Sequence, residues 1–147
     1  MSGICGILHL DGQPVKAETL EKMMDALAHR GIDGSGAWRE GAIALGHQML
    51  HLTPESLTEE LPFSDPPARL AVTADARLDN RKELFRQLEI SASRQEGTTD
   101  SGLILNAYKN GGQECPDISW GILSWSSGPV WIMGFFSQWC NNLCQTS

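Results

Sequence analysis

His29-Arg30-Gly31-Ile32-Asp33-Gly34-Ser35-Gly36 separates two hydrophobic periods. Upstream, Leu20, Met23, Met24, Leu27 and Ala28 recur every three or four residues between Thr19 and Arg30, which predicts one apolar helical face with Gly31 as the C′ residue. Downstream, Ala42 to Leu52 and Arg69 to Ala74 are rich in β-compatible residues on either side of a proline-bearing loop from Pro54 to Pro67. They predict strands of one sheet system. The stretch itself predicts a loop in which glycine supplies positive φ and Asp33 accepts backbone hydrogen bonds.

Working outward, Gly3 to Leu10 is an apolar run suited to a buried strand, and Asp11-Gly12 is a turn signal directly behind it. A second helix is expected from Asp79-Asn80, with Asn80 and Glu83 in N-cap spacing and Leu84, Phe85 and Leu88 facing inward. A third should run from Thr99 to Asn110 and stop at Gly111-Gly112. The predicted order is β-α-β-β-α-α, an α+β domain with no internal repeat.

The 147 residues suffice for one domain with its own core. A net charge of -7, with only 11 scattered Lys and Arg, argues against a nucleic-acid surface and for a small-molecule ligand. The N-terminus has no basic region before its apolar run, so it does not read as a secretory signal, and a cytoplasmic location is expected. Cys5, Cys115, Cys140 and Cys144 make no zinc-type pairs and are expected as free thiols. His47 and His51 share a strand face without a third ligand, so no metal site is expected.

Every Asp, Glu, Lys, Arg and His lies at or before Asp117, and four of the 5 tryptophans fall beyond it. Ser, Gly and Pro interrupt that tail and no basic residue flanks it, which disfavours a membrane span. The expected organisation is a domain over residues 1–117 and an uncharged Trp-rich tail over residues 118–147 that is not native to the fold.

Cys5-Gly6-Ile7, His29 to Gly36, Leu45-Gly46-His47, Thr73-Ala74-Asp75-Ala76-Arg77-Leu78-Asp79-Asn80-Arg81 and Thr99-Asp100-Ser101 followed by Leu103-Ile104-Leu105 occur in one order and spacing. In these motifs the chain resembles class II glutamine amidotransferase domains of the asparagine synthetase family. The resemblance implies an N-terminal nucleophile (Ntn) hydrolase fold, a four-layer α-β-β-α sandwich, here incomplete at its C-terminal end. It implies glutamine as substrate, no cofactor, and a separate ATP-dependent synthetase domain as the user of the released ammonia. In relatives a Gly-Asp-Phe strand is expected after Cys115-Pro116-Asp117. One choice of codons for Ser119 to Trp131 encodes such a strand in another frame, so the tail predicts a frameshift near Ile118. A sandwich stopped there would leave strand edges unpaired.

Amide hydrolysis needs a nucleophile, a base and donors for the oxyanion. The resemblance assigns the nucleophile to Cys5, with its own α-amino group as base, which requires residues 1–4 to be removed. Read from its surroundings alone, Cys5 is equally a small buried hydrophobe with a raised thiol pKa. The resemblance places Met49 where an arginine grips the α-carboxylate. It places Asp75, Ala76 and Arg77 where an Asn-Gly-Glu tripeptide forms the oxyanion hole and meets the α-ammonium. Asp100 matches the aspartate that contacts that ammonium, and the substitutions at 75–77 define either a subfamily whose repositioned Arg77 contacts the carboxylate or an inactive pocket. Arg30, Gly31, Asp33, Gly34 and Gly36 are expected to fix the loop beside the pocket, while His29 and His47 read as structural. Three functions compete: a glutaminase domain feeding a synthetase, a pseudo-glutaminase or gene remnant without turnover, and a small membrane-anchored protein.

Overall fold

The computed structural model describes residues 2–51, 54–76 and 78–111, together with the strands Ser124–Ser126 and Ile132–Gly134. The chain opens with strand β1 (Gly3–Leu8), followed by helix α1 (Ala17–Leu27), a 3-10 turn over Ala28–Arg30, and strands β2 (Gly34–Glu40) and β3 (Ile43–Met49). Strands β4 (Phe63–Asp65) and β5 (Leu70–Val72) come next, then helices α2 (Arg81–Gln87), α3 (Ala92–Gln95) and α4 (Asp100–Gly111). The strands Ser124–Ser126 and Ile132–Gly134 are β6 and β7.

Three antiparallel strands form one sheet in the order β1-β3-β2, with Gly3 opposite Gln48 and Gly34 opposite Met49. All seven residues of β3 are buried. The period of two explains how: successive side chains leave on opposite faces, and each face has its own cover. Ala44, Gly46 and Gln48 face α1. Gln48 Nε2 donates to Met24 O at 2.9 Å, and Ala44 joins Cys5, Val15 and Leu20 in a core completed by Ile7, Met23, Met24 and Leu27. His47 leaves on the other face and shares a 2.8 Å hydrogen bond with Thr73 Oγ1, just beyond β5.

β4 and β5 pair as a second sheet, and Leu70 and Val72 of β5 enter the larger core with Leu84 and Phe85 of α2 and Leu103, Ile104 and Ala107 of α4. At the far end of α4, the Lys109 ammonium pairs with Asp65 and holds that carboxyl below the usual range. β6 and β7 pair with each other. The expected tail boundary at residue 117, the reading of residues 118–123 and the cysteines at 115, 140 and 144 lie outside the described residues.

Several expectations are corrected. Ala42 to Leu52 and Arg69 to Ala74 supply strands of two different sheets, not one. The loop expected to continue through Gly36 instead becomes β2 at Gly34. Its residues are mostly exposed, so the strand carries little apolar alternation, and its pairing follows from the tight turn Gly41-Ala42, where Gly41 has φ 55°. β4 likewise lies inside the stretch expected as the Pro54 to Pro67 loop. His51 lies past the end of β3 and so does not share a strand with His47. Asn80 occupies the N-cap of α2, but its side chain makes no cap hydrogen bond.

The glycines of the motif also act differently from expectation. Positive φ occurs at Gly12 and Gly41, whereas Gly31 is extended at φ -134°. What Gly31 and Gly36 provide is room. A Cβ on Gly31 would lie 2.2 Å from the Gln48 carbonyl carbon, and one on Gly36 would lie 1.9 Å from Leu61 O. Backbone must pass over backbone at both points.

That difference generates a contrast between neighbouring glycines. Gly36→Ala should cost about 1–3 kcal/mol of stability, the overpacking range. Gly34→Ala should stay within about 0.5 kcal/mol, because its Cβ would meet only Met49 Cβ at 3.8 Å. Denaturant midpoints of the two variants check this, and equal losses would show that the Leu61 segment yields freely.

His47 carries the pH dependence. Burial lowers its pKa from 6.5 to about 4, against a smaller raising effect from the Asp75 charge. The unfolded chain therefore takes up the proton first, and the stability contributed by neutral His47 is complete above pH 6.5 and lost as pH falls towards 4. The loss should amount to about 3 kcal/mol. His47→Gln should flatten that part of the stability-against-pH curve, and an unchanged slope would assign it to other groups.

Candidate functional site

The motif loop is fastened to the end of β3. Asp33 N donates to Met49 O at 3.0 Å, and the Asp33 carboxylate accepts from His51 N at 2.8 Å. Facing this edge is the segment Leu57 to Pro62, held at one end by the Leu61 contact with Gly36 and at Glu59 by a 3.0 Å hydrogen bond from Ser101 N to Oε1. Between them lies a cavity of about 510 Å³, lined on one side by Asp33 to Ala37, Met49 and His51. Such a volume falls within the range of small-molecule sites.

The charge in the cavity has one sign among the described residues. Asp33, Glu59 and Glu60 line it, with no Lys or Arg beside them. A ligand carrying a positive group suits it, and a ligand carboxylate would need a cation from elsewhere. Met49 is among the lining residues, and the described lining contains no guanidinium. A second cavity of about 400 Å³ shares Thr58, Glu59 and Glu60 with the first and extends towards Thr98 and Thr99.

Cys5 lies elsewhere. Its Sγ sits against the backbone of Gly46, where a Cβ would meet both Sγ and Met24 Cγ at 2.7 Å. The residue is 8% exposed, in the layer between the sheet and α1, and does not line the cavity. Burial pushes the thiol pKa up, only partly offset by a hydrogen bond from the Gly46 N–H, so little thiolate is present at neutral pH.

Asp100 is equally committed. One carboxylate oxygen pairs with the Arg81 guanidinium and the other accepts from Leu78 N at 3.1 Å. Arg81 also donates to Thr98 O at 2.6 Å and stacks 5.4 Å over the Phe85 ring. The aspartate therefore ties the turn before α2 to the start of α4. Asp75 is half-buried and near enough to influence His47, and Ala76 packs on the larger core. Arg77 lies outside the described residues. Arg30 and His29 are exposed at the end of the 3-10 turn, away from the cavity lining.

The structure thus brings Asp33, Gly34, Gly36 and Met49 to one cavity and leaves Cys5, Asp100 and Arg30 outside its lining. Glu59 and Glu60 were missed in the sequence because they sit in a loop with no motif. Ser2 was also missed. It is 8% exposed, and its Oγ accepts a hydrogen bond from Leu50 N at 3.3 Å, between the cavity residues Met49 and His51. Among the described residues no cluster of three or more His, Cys, Asp or Glu could hold a metal ion, and no helix is long and apolar enough to cross a membrane.

Comparison with known proteins agrees with the motifs. Residues 1–126 match the family model described as a glutamine amidotransferase domain. The chain is 26% identical over 133 residues to asparagine synthetase [glutamine-hydrolyzing] 3 of Bacillus subtilis (strain 168), an alignment covering 89% of this chain and 21% of the relative. It is 29% identical over 126 residues to the asparagine synthetase [glutamine-hydrolyzing] of Asparagus officinalis, covering 82% of this chain and 21% of the relative. An asparagine synthetase of Lotus japonicus matches with the same 29% identity and the same coverage. The chain spans about a fifth of the length of these curated relatives. No solved structure matches it. With the family model spanning most of the chain and the motif loop building the wall of a ligand-sized cavity, the chain belongs to the glutamine amidotransferase domain family.

Proposed function

We propose that this domain hydrolyses the side-chain amide of glutamine to glutamate and ammonia, and that the ammonia serves an ATP-dependent synthetase of the asparagine-forming type. The observation that carries the reading is the cavity built by Asp33 to Gly36 inside the region matched to amidotransferases. The fold is read as the four-layer α-β-β-α sandwich of Ntn hydrolases. Support comes from α1 on one face of the first sheet, the His47–Thr73 bond between the sheets, and α4 packed on β5. The setting is read as cytoplasmic, without nucleic acid, in keeping with the net charge of -7.

In this reading the acidic lining receives the α-ammonium of glutamine. Met49 leaves the α-carboxylate to Arg77, repositioned from the place where the resemblance puts the residue that meets the α-ammonium. Backbone N–H groups near Asp75 and Ala76 would face the oxyanion, since a second carboxylate there cannot stabilise developing negative charge. The second reading, a domain that binds glutamine without turnover, is favoured by the burial of Cys5 and by the engagement of Asp100 with Arg81.

Glutamate and ammonia should appear in equal amounts when purified chain is given glutamine, and asparagine, one methylene shorter, should be turned over at least ~10-fold more slowly. Glutamine binding by calorimetry without product would select the second reading, and neither binding nor product would sink both. Met49→Arg should lower KM for glutamine about tenfold with kcat little changed, the signature of added ground-state binding to a carboxylate. An unchanged KM would show that the α-carboxylate does not lie beside Met49.

A further inference from the structure

We propose that the cavity between β2 and the Leu57 to Pro62 segment takes a small guanidinium compound without a carboxylate, an alkylguanidine, clamped between Asp33 and Glu59. The inference goes beyond the glutaminase reading and rests on it only in treating that cavity as the ligand site.

Two carboxylates stand on opposite walls, and each is already fixed by one of its oxygens. Asp33 Oδ2 accepts from His51 N at 2.8 Å on the β3 side, and Glu59 Oε1 accepts from Ser101 N at 3.0 Å on the facing segment. Among the described residues, Asp33 Oδ1 and Glu59 Oε2 have no such donor. A carboxylate pinned in this way loses little further freedom on binding, and its second oxygen is left for a donor on the ligand. Glu60 adds a further carboxylate to the same lining.

The rest of the lining is rich in acceptors and poor in cations. Leu61 O lies over Gly36, His51 Nδ1 is buried without a hydrogen-bond partner, and Ser35 and Thr58 bring hydroxyl groups. No Lys or Arg stands among the described lining residues. Phosphates and carboxylates are therefore poor occupants, since each would need a cation to face it. The described residues hold no cluster of three metal-ligating side chains either, so the negative charge calls for an organic cation. An ammonium offers three donors from one point, whereas a guanidinium offers five in a plane that matches carboxylates two bonds at a time.

Shape separates these two cations. In the stretch Gly34-Ser35-Gly36 of β2, two of the three residues carry no side chain. A Cβ added at Gly34 would meet only Met49 Cβ, at 3.8 Å, so the backbone there is open, while Leu61 O closes the far end over Gly36. A flat group can lie against bare peptide planes, where a tetrahedral ammonium would leave space unfilled. Beyond Glu59 and Glu60, the second cavity gives room for an alkyl arm and a terminal amine beside Phe63, Thr98 and Thr99.

Calorimetric titration of the full chain with agmatine, which joins a guanidinium to a primary amine through a butyl chain, tests this. Binding should saturate below about 1 mM. It should be at least ~10-fold tighter than for putrescine, which lacks the planar group, or for arginine, which adds a carboxylate. Asp33→Asn and Glu59→Gln keep an oxygen for His51 N and Ser101 N and remove the charge, so each should weaken agmatine about tenfold with Tm little changed. Gly34→Ala should weaken agmatine about fivefold and putrescine less, because its methyl occupies the open backbone.

Absence of agmatine binding would overturn the proposal, and so would putrescine binding equally well. Arginine binding as tightly as agmatine would reveal a cation beside the cavity and overturn it too. Unchanged affinity in either carboxylate variant, or in Gly34→Ala, would show that the ligand does not lie between these walls. Glutamate release from glutamine, measured without agmatine, judges the glutaminase reading separately. Release with no agmatine binding would overturn this proposal alone, and agmatine binding without release would uphold it while the glutaminase reading fails.

Discussion

Burial of β3 on both faces is the constraint around which the rest of the domain is arranged. A strand in that position needs two covers, because seven buried residues with alternating directions cannot be served by one. α1 supplies the first through Met24 and its neighbours, with Gly46 leaving space for the Cys5 sulfur. The second cover lies beyond His47, whose ring reaches Thr73 and whose Nε2 finds no partner among the described residues. A polar ring held neutral there costs stability in acid but fixes how the two sheets face each other.

The candidate site inherits its shape from the same strand. The C-terminal end of β3 receives Asp33 on one side, through Met49 O and the His51 N–H, and Ser2 on the other, through the Leu50 N–H. Two distant pieces of sequence thus converge on three consecutive residues. The charged side chains lining the space are the carboxylates Asp33, Glu59 and Glu60, beside Ser35, Thr58 and His51, and the motif arginine Arg81 is spent on Asp100, Thr98 and the Phe85 ring. The same motif residues that suggest a family also explain why the pocket differs in charge from what the family resemblance implies.

Much of this was legible in the sequence. The helical period around Leu20 to Leu27 and the apolar run of α4 state their own structure, because each buries one continuous face. β2 was not legible, since an exposed edge strand has no apolar stripe and is defined by the turn at Gly41. The glycines of the motif were recognised, but their purpose depends on Gln48 and Leu61, which are remote in sequence. Alternation alone says that Ser2 and Cys5 point opposite ways. Only packing says which of the two faces the helix.

The segment from Glu59 to Leu61 has a mechanical consequence. It is anchored by Glu59 to the first turn of α4 and rests by Leu61 on the bare backbone of Gly36, with one residue between the two supports. It is also the partition between the two cavities. A molecule that fills the larger space therefore touches Glu59 and Glu60, which also wall the smaller one, and Glu59 is the residue bonded to the Ser101 amide at the start of α4.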